Sequence, residues 1–523
     1  MVITARGVVA TEQPLASQVG AQILARGGSA VDAAIAANAA LNVVEPMMSG
    51  PGGDLFAIIR EAKTGQLTGL NASGWSPKAL SLDYLEQQGA SGGVHAVTVP
   101  GCVDGWEKLH QRFGRLPWTD LFQPAIYYAE NGFPVTELIQ WEWENSSANL
   151  QDEARAVYLP GGVAPVLGEI FRNPALAHAF RLIAQQGAGA VYRGSIAEAI
   201  LNTSQRYGGT MTADDLREYR SEWVEPISTS YRGWQVYEIP PNGQGIGTLQ
   251  MLNILENFPL EDYPQDSADA LHLKIEAQKL ATQDLRRYIG DPRYACIPVE
   301  GLLSKTYATE RAALINRERA NCDTAPGKPE HGHTTYLAAA DKDGNVVSWI
   351  QSIANFFGSG ILVDGMGFVL HDRGASFDLD RDHPNMLGPR KRPFHTIIPA
   401  FMENGHRHIA FGIMRGMNQA QAQMQLVTNI VDHKMNIQYA LEAPRFTKST
   451  LGGCDVQIEA RVPEKVRSEL IQRGHRLGVV GDFSEYMGGG QVVMHDSTSK
   501  VNYGASSPRK DGAAIPEPDP YFK

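Results

Sequence analysis

His333-Thr334-Thr335-Tyr336 opens a strand-like run that continues to Ala340 and ends at Asp341-Lys342-Asp343-Gly344-Asn345. A threonine hydroxyl is a poor nucleophile until a base takes its proton, and some hydrolases use the α-amine of the same residue for this. Such an amine titrates near about 8, well below a lysine, so a useful fraction is neutral close to pH 7. While His333 acylates its nitrogen, Thr334 has no amine. This chemistry therefore requires the bond between His333 and Thr334 to be cut, and makes the intact chain an inactive precursor. Branching at Cβ limits the hydroxyl to few rotamers, which helps to aim it at a carbonyl. By itself, a Thr-Thr pair before a strand is an ordinary strand start, and only the remainder of the chain lifts it above that.

The elements around the pair fit a supporting scaffold. Residues 335–340 and 346–350 flank a tight-turn sequence, which predicts a hairpin. Upstream, small residues dominate helical patterns from Ala16 to Arg26 and from Ala30 to Val43, broken by Gly27-Gly28-Ser29 and stopped by Pro46. Ser49-Gly50-Pro51-Gly52-Gly53-Asp54 then leads into a strand over Leu55–Arg60; without the lysine and hydroxyl of a phosphate loop it reads as a tight turn. Helices are expected over Phe122–Asn131, Asn173–Gln186, Ser195–Tyr207 and 246–256, with a strand over 234–240. After the hairpin come strands at Gly367–Leu370, around 394–402 and at Ala410–Ile413. The loop Met414-Arg415-Gly416-Met417-Asn418 opens a helix over Gln419–Val431, whose amino end would suit an oxyanion. Arg317–His333, with Ala325-Pro326-Gly327-Lys328-Pro329, is the expected exposed arm leading into the strand to be cut.

Composition removes several function classes. The 523 residues are 43% hydrophobic and 20% charged, as in a globular protein, and the net charge of −11 disfavours nucleic acid as a partner. Met1–Gly7 runs directly into folded-looking sequence with no leader pattern or spanning segment, so the expected location is cytoplasmic, with no membrane partner. Cys102, Cys296, Cys322 and Cys454 are scattered, so free thiols are expected rather than a disulfide framework or zinc site. His331-Gly332-His333 lacks a third ligand; no metal or cofactor is expected.

In order along the chain stand GGSAVDAA (27–34), VPG (99–101), VYRG (191–194), PPNGQG (240–245), HTTY (333–336) with DKDGN (341–345), FGSG (357–360), KRPFHTIIP (391–399), GGGQ (488–491) and SSPRKDG (506–512). As an ordered set these motifs resemble the γ-glutamyltransferase family of N-terminal-nucleophile hydrolases over nearly the whole chain. The resemblance implies an α/β fold, an αββα four-layer sandwich, self-cleaved into a large subunit of residues 1–333 and a small one of 334–523, with an acyl-enzyme on Thr334. It places Ser352 where a family hydroxyl assists cleavage and holds the new amine, and Arg415 and Gly416 where two glycines hold the oxyanion through backbone N–H groups.

The departures from the pattern concern the substrate. The tract that carries a carboxylate-gripping arginine in the family reads Asn71-Ala72-Ser73-Gly74-Trp75-Ser76-Pro77 here, and Ser376 stands where an acid pairs with the substrate's α-ammonium. Arg373 replaces a neutral or acidic partner, His395-Thr396 replaces a serine pair, and Ala354 replaces an asparagine, with Asn355 adjacent. Such a pocket is cationic and small, most like the oxamate amidohydrolase branch of the family. The expected substrate is a small anionic amide, oxamate first, with Arg415 ahead of Arg373 as the carboxylate-binding group. A γ-glutamyl hydrolase or transferase acting on glutathione is the alternative, and an uncleaved, inactive interaction protein the alternative of another class. The two cleaved subunits are expected to stay together, and the assembly expected is a homodimer.

Overall fold

The computed structural model describes residues 1–89, 91–323, 333–448, 450 and 452–521. In chain order the main strands are β1 (Val2–Thr4), β2 (Val8–Thr11), β3 (Asp54–Arg60), β4 (Leu67–Ala72), β5 (Glu222–Val224), β6 (Ile227–Tyr231), β7 (Trp234–Glu238), β8 (His333–Ala340), β9 (Val346–Ala354), β10 (Ala400–Asn404), β11 (Arg407–Ile413), β12 (Gly490–Asp496), β13 (Val501–Ser506) and β14 (Ala513–Pro516). They build two seven-stranded sheets, ordered β1-β13-β12-β11-β10-β7-β6 and β14-β2-β8-β9-β3-β4-β5. The strand headed by His333 and Thr334 lies inside the second sheet, between β2 and β9, antiparallel to both.

Side chains on a strand alternate between faces, and here both faces of each sheet are buried. In β8, Tyr336, Ala338 and Ala340 face an apolar layer shared with Phe401, Ala410 and Val493 of the other sheet. Leu337 and Ala339 point the opposite way, into a core shared with helices α1 (Pro14–Ala25) and α2 (Ala30–Val44). The first sheet repeats the arrangement, with Ala400, Met402, Ile409 and Phe411 packed on helices α3 (Gly245–Leu255), α4 (Ala268–Tyr288) and α5 (Asn418–Val431). The result is helix, sheet, sheet, helix: the four-layer αββα sandwich. Helix α2 is buried along its length, which its alanines permit, and it starts from a capping box between Ser29 and Asp32. Between the sheets the fit is tight at Gly412, where an added Cβ would come within 2.3 Å of the Tyr336 ring.

The expected hairpin is present. Asp341 accepts hydrogen bonds from the backbone N–H groups of Asp343 and Asn345, and Gly344 takes φ +86°, so the turn closes on its own side chain. Other expectations need correction. Gly367–Leu370 forms only an isolated bridge, Val369 to Leu362, and the strand expected from 394 begins at Ala400; residues 394–399 instead wrap the site described below. Cys322 and Cys454 form a disulfide with Cα atoms 5.0 Å apart. Their separation of 132 residues hid the pairing, because chain topology and not local spacing brings them together. Residues 324–332 of the expected arm lie outside the described residues. Among the described residues no helix is long and apolar enough to cross a membrane.

Candidate active site

Thr334 is fully buried on the inter-sheet face of β8, and its hydroxyl accepts a hydrogen bond of 3.2 Å from Gln419 Nε2, at the start of α5. Thr335 faces the helical layer and donates to Glu45 Oε2 at 2.9 Å. Beside this pair the ladder to β9 slips. His333 pairs with Ala354 but Thr335 pairs with Gln351, so Ser352 and Ile353 together oppose Thr334. A bulge of this kind re-aims side chains and weakens pairing locally, and it lies at the bond whose cleavage the sequence chemistry requires. Ala354 completes it with φ +73°, and its N–H donates to Ser352 Oγ at 2.8 Å.

A cation stands beside the bulge. Arg373 is 2% exposed, and its guanidinium donates to Thr396 Oγ1 at 2.9 Å and to Ser352 Oγ at 3.2 Å. Behind it, His395 donates from Nε2 to Asp54 Oδ2 at 2.9 Å, while its Nδ1 accepts the N–H of Ile397 at 3.3 Å. Both ring nitrogens are thus committed, and the imidazole is held neutral: burial first, then the Arg373 charge, pushes its pKa down to about 3. Asp54 goes the other way. Burial would raise it, but His371 at 3.4 Å and the bonds from both imidazoles hold it ionised, well below the usual carboxylate range. The carboxylate also accepts the N–H of Gly74, tying the tract of residues 71–77 to this network.

The other expected residues are distributed around the same centre. Arg415 and Gly416 lie in the loop before α5 with φ of +91° and +48°. This left-handed conformation favours glycine, and Arg415 holds it at a cost of about 1–3 kcal/mol. The Arg415 side chain turns to Glu485, at 3.1 Å, and lies 4.5 Å from the centre of the Tyr486 ring. Arg373, and not Arg415, is therefore the arginine joined to Ser352 and Thr396. Gln244 of PPNGQG donates to the carbonyls of Thr396 and Gly416, linking the two loops. Asn355 is engaged with Asp372 through its backbone and side-chain amides, at 3.0 and 2.7 Å. Ser376 ends the short helical turn begun by Arg373, and its carbonyl accepts from Asn385.

Sequence reasoning missed Gln419, Asp54 and His371 in this centre. It also missed a buried cluster on the Thr335 face, in which Glu12, Glu45 and Glu142 gather around Lys510. Three carboxyls sharing one ammonium cannot all ionise. Burial and mutual repulsion raise them, Glu142 to about 8, while Lys510 stays cationic. Lys510 falls within the SSPRKDG motif, the only signal that could have pointed to it. Elsewhere, His272, Glu276 and His475 lie close enough to hold a metal ion. His272 bonds His475 at 2.8 Å and Glu276 pairs with Lys279 at 2.7 Å, and the Lys279 ammonium repels a cation.

Comparison with known proteins gives the family and the fold. Residues 16–517 match the family described as gamma-glutamyltranspeptidase. The chain is 38% identical to the glutathione hydrolase-like YwrD proenzyme of Bacillus subtilis, covering 98% of this chain and 99% of that protein. It is 33% identical to the oxamate amidohydrolase proenzyme of Klebsiella pneumoniae, covering 98% of each. The crystal structure of cephalosporin acylase from Bacillus halodurans superposes with a TM-score of 0.92 at 41% identity, covering 98% of this chain and 96% of that one. The chain belongs to the gamma-glutamyltranspeptidase family and is an amide-hydrolysing enzyme of the N-terminal-nucleophile class.

Proposed function

We propose that this member of the family is a self-processing threonine amidohydrolase whose substrate is a small amide bearing a carboxylate, oxamate being the favoured case. The observation that carries the reading is Arg373, a buried guanidinium bonded to Ser352 and Thr396 beside the Thr334 bulge. A carboxylate attached directly to the amide carbon would be driven away from a developing oxyanion by charge repulsion. A guanidinium beside both groups offsets that repulsion and binds the carboxylate through paired N–H donors. Ser376 supplies no negative charge for an α-ammonium, which favours acyl groups without one. The 33% identical oxamate amidohydrolase supports the same choice.

Cleavage of the precursor begins with Thr334 Oγ attacking the carbonyl carbon of His333. The C–N bond breaks as the hydroxyl proton passes to nitrogen, and water hydrolyses the ester, leaving residues 1–333 and 334–523 as large and small subunits. In turnover the new α-amine takes the hydroxyl proton as Oγ bonds to the substrate carbonyl, and the N–H groups of Arg415 and Gly416 receive the oxyanion. The amine returns the proton to the leaving nitrogen and ammonia departs. Water then attacks the ester, restoring Thr334 and giving a dicarboxylate, oxalate in the favoured case. The two subunits remain together because β8 is buried between strands of both.

A γ-glutamyl amide such as glutathione is the second reading. Asp372, in the same loop as Arg373 and held by Asn355, could receive an α-ammonium, and the glutathione hydrolase-like relative favours it. One assay separates the two. Ammonia release from oxamate, lost in Thr334→Ala, is the expected result; faster turnover of a γ-glutamyl anilide than of oxamate would overturn the preferred substrate.

A further inference from the structure

The amino-terminal half of α5 reads Gln419-Ala420-Gln421-Ala422-Gln423-Met424-Gln425, and each of its four glutamines is buried. Their amides act as surrogate backbone. Gln421 accepts the N–H of Lys448 and donates to its carbonyl, at 2.9 and 3.1 Å. Gln425 does the same at Phe446, at 3.2 and 3.0 Å. On the neighbouring face Gln423 donates to the carbonyl of Ile398 at 2.8 Å, and Gln419 accepts the N–H of the same residue at 3.2 Å. Gln421, Gln423 and Gln425 therefore direct their N–H groups to backbone carbonyls. Gln419 directs one to the Thr334 hydroxyl oxygen.

We propose that Gln419 is a catalytic residue whose side-chain amide donates to Thr334 Oγ, both when the precursor is cut and during turnover. This rests on the reading of Thr334 as nucleophile. The direction of the amide is set by the fold: turning it over would oppose its NH2 to the N–H of Ile398, donor against donor, and leave its oxygen facing Thr334. With the carbonyl held at Ile398, the amide must present a donor to Oγ. That donor has consequences at each stage. It occupies one lone pair of Oγ and so turns the hydroxyl proton elsewhere, towards the group that removes it. As that proton leaves and Oγ bonds to carbon, the N–H offsets the negative charge passing through oxygen. It does so again when water has attacked the ester and the Oγ–C bond breaks, with the pair of electrons returning to Oγ before reprotonation. Precursor cleavage draws on the same contact, because the bond to Gln419 exists in the uncut chain.

Gln419→Glu tests this with almost no change of shape. One carboxylate oxygen can still accept the Ile398 N–H, while the other has no proton to offer Oγ and opposes its charge. Processing is followed by intact mass, and turnover by kcat and KM on oxamate. The expected result at pH 8 is a loss of about tenfold to a hundredfold in processing rate and in kcat, the scale of one lost oxyanion donor, with KM within about threefold. The processing deficit narrows as pH falls and the new carboxyl regains a proton it can donate. Gln423→Leu is the structural control, since it loses the bond to Ile398 without touching Thr334. It is expected to lower the melting temperature while leaving processing and kcat within about threefold. If Gln419→Glu fails to fold, Gln419→Met, which keeps the volume without either polar atom, carries the test with the same expected deficit. A Gln419 variant that processes and turns over within twofold of the parent overturns the proposal, as does an equal kinetic deficit in Gln423→Leu. Thr334→Ala separates the underlying reading: if that variant is still cut or still active, the nucleophile assignment itself has failed.

Discussion

Thr334 and Thr335 are adjacent and chemically identical, yet their side chains enter different regions of the molecule. The inter-sheet side of β8 gives Thr334 a neighbourhood of Gln419, Ser352, Arg373, Thr396 and His395, all from residues after 334, with Asp54 as the exception. The helix side joins Thr335 and Lys510 to Glu12, Glu45 and Glu142, which all come from before residue 334. With the proposed cut before Thr334, one side assembles reactive groups from the small subunit. The other ties that subunit to the large one. A period of two along the strand is enough to separate chemistry from attachment.

The sharpest way to break this division is to exchange the two losses. Thr334→Ala is expected to remain a single chain of 57.0 kDa with no turnover. Thr335→Val, which loses the bond to Glu45, is expected to be cut and active, and about 1–3 kcal/mol less stable because a buried acceptor loses its donor. Denaturing gels and urea midpoints read both. A Thr335 variant that fails to process while folding normally would erase the distinction between the faces. Next in size is Arg373→Gln. If the inter-sheet side holds the substrate's carboxylate, KM for oxamate rises about a hundredfold, the scale of about 3 kcal/mol expected for a charge-assisted hydrogen bond. A neutral amide should be affected far less, and equal effects on both would place Arg373 in the scaffold alone.

The faces should also respond to pH with opposite sign. His395, held down to about 3, and Asp54, held below its ordinary range, have folded pKa values lower than unfolded ones. Their contribution is present above the unfolded values and is lost as pH falls, beginning near the ordinary histidine value of 6.5 and continuing towards 3. Glu142 is raised from 4.5 to about 8, so its contribution is full below 4.5 and is lost as pH rises through about 8. Urea midpoints measured across pH should therefore fall at both ends. Glu142→Gln is expected to flatten the alkaline limb and leave the acid limb in place. If it flattens neither, the helix-side carboxyls do not carry that limb.

Much of this centre was legible in the sequence because its motifs are local. HTTY with DKDGN gives the strand and hairpin, and KRPFHTIIP brings His395 and Thr396 to one segment. The roles that required three dimensions were not legible. Arg415 and Arg373 look alike as replacements, and only the fold shows one turned to Glu485 and the other to Ser352 and Thr396. Gln419 looks like one glutamine among several on a helix, since its partner lies 85 residues away. Asp54 read as the end of a glycine turn, although it anchors a histidine 341 residues distant.

The smallest effect on activity is expected from the disulfide. Cys322 precedes the proposed cut and Cys454 follows it, so their bond would join the two products covalently, as the cluster around Lys510 would join them without a covalent link. Oxidised, processed protein should run on a denaturing gel as one species of about 57.0 kDa without reductant and as two with it. Cys322→Ser should run as two species under both conditions, with kcat unchanged, because the bond lies outside the groups around Thr334. Its stability should fall, as closing a long loop contributes a few kcal/mol in the uncut chain, to an extent that varies with strain and residual structure. If the variant's subunits separate in native buffer, the disulfide and not the helix side of β8 is what holds the enzyme together, and the attachment assigned to the Lys510 cluster is wrong. If they remain together and active, the shared sheet and the buried charges around Thr335 are sufficient without it.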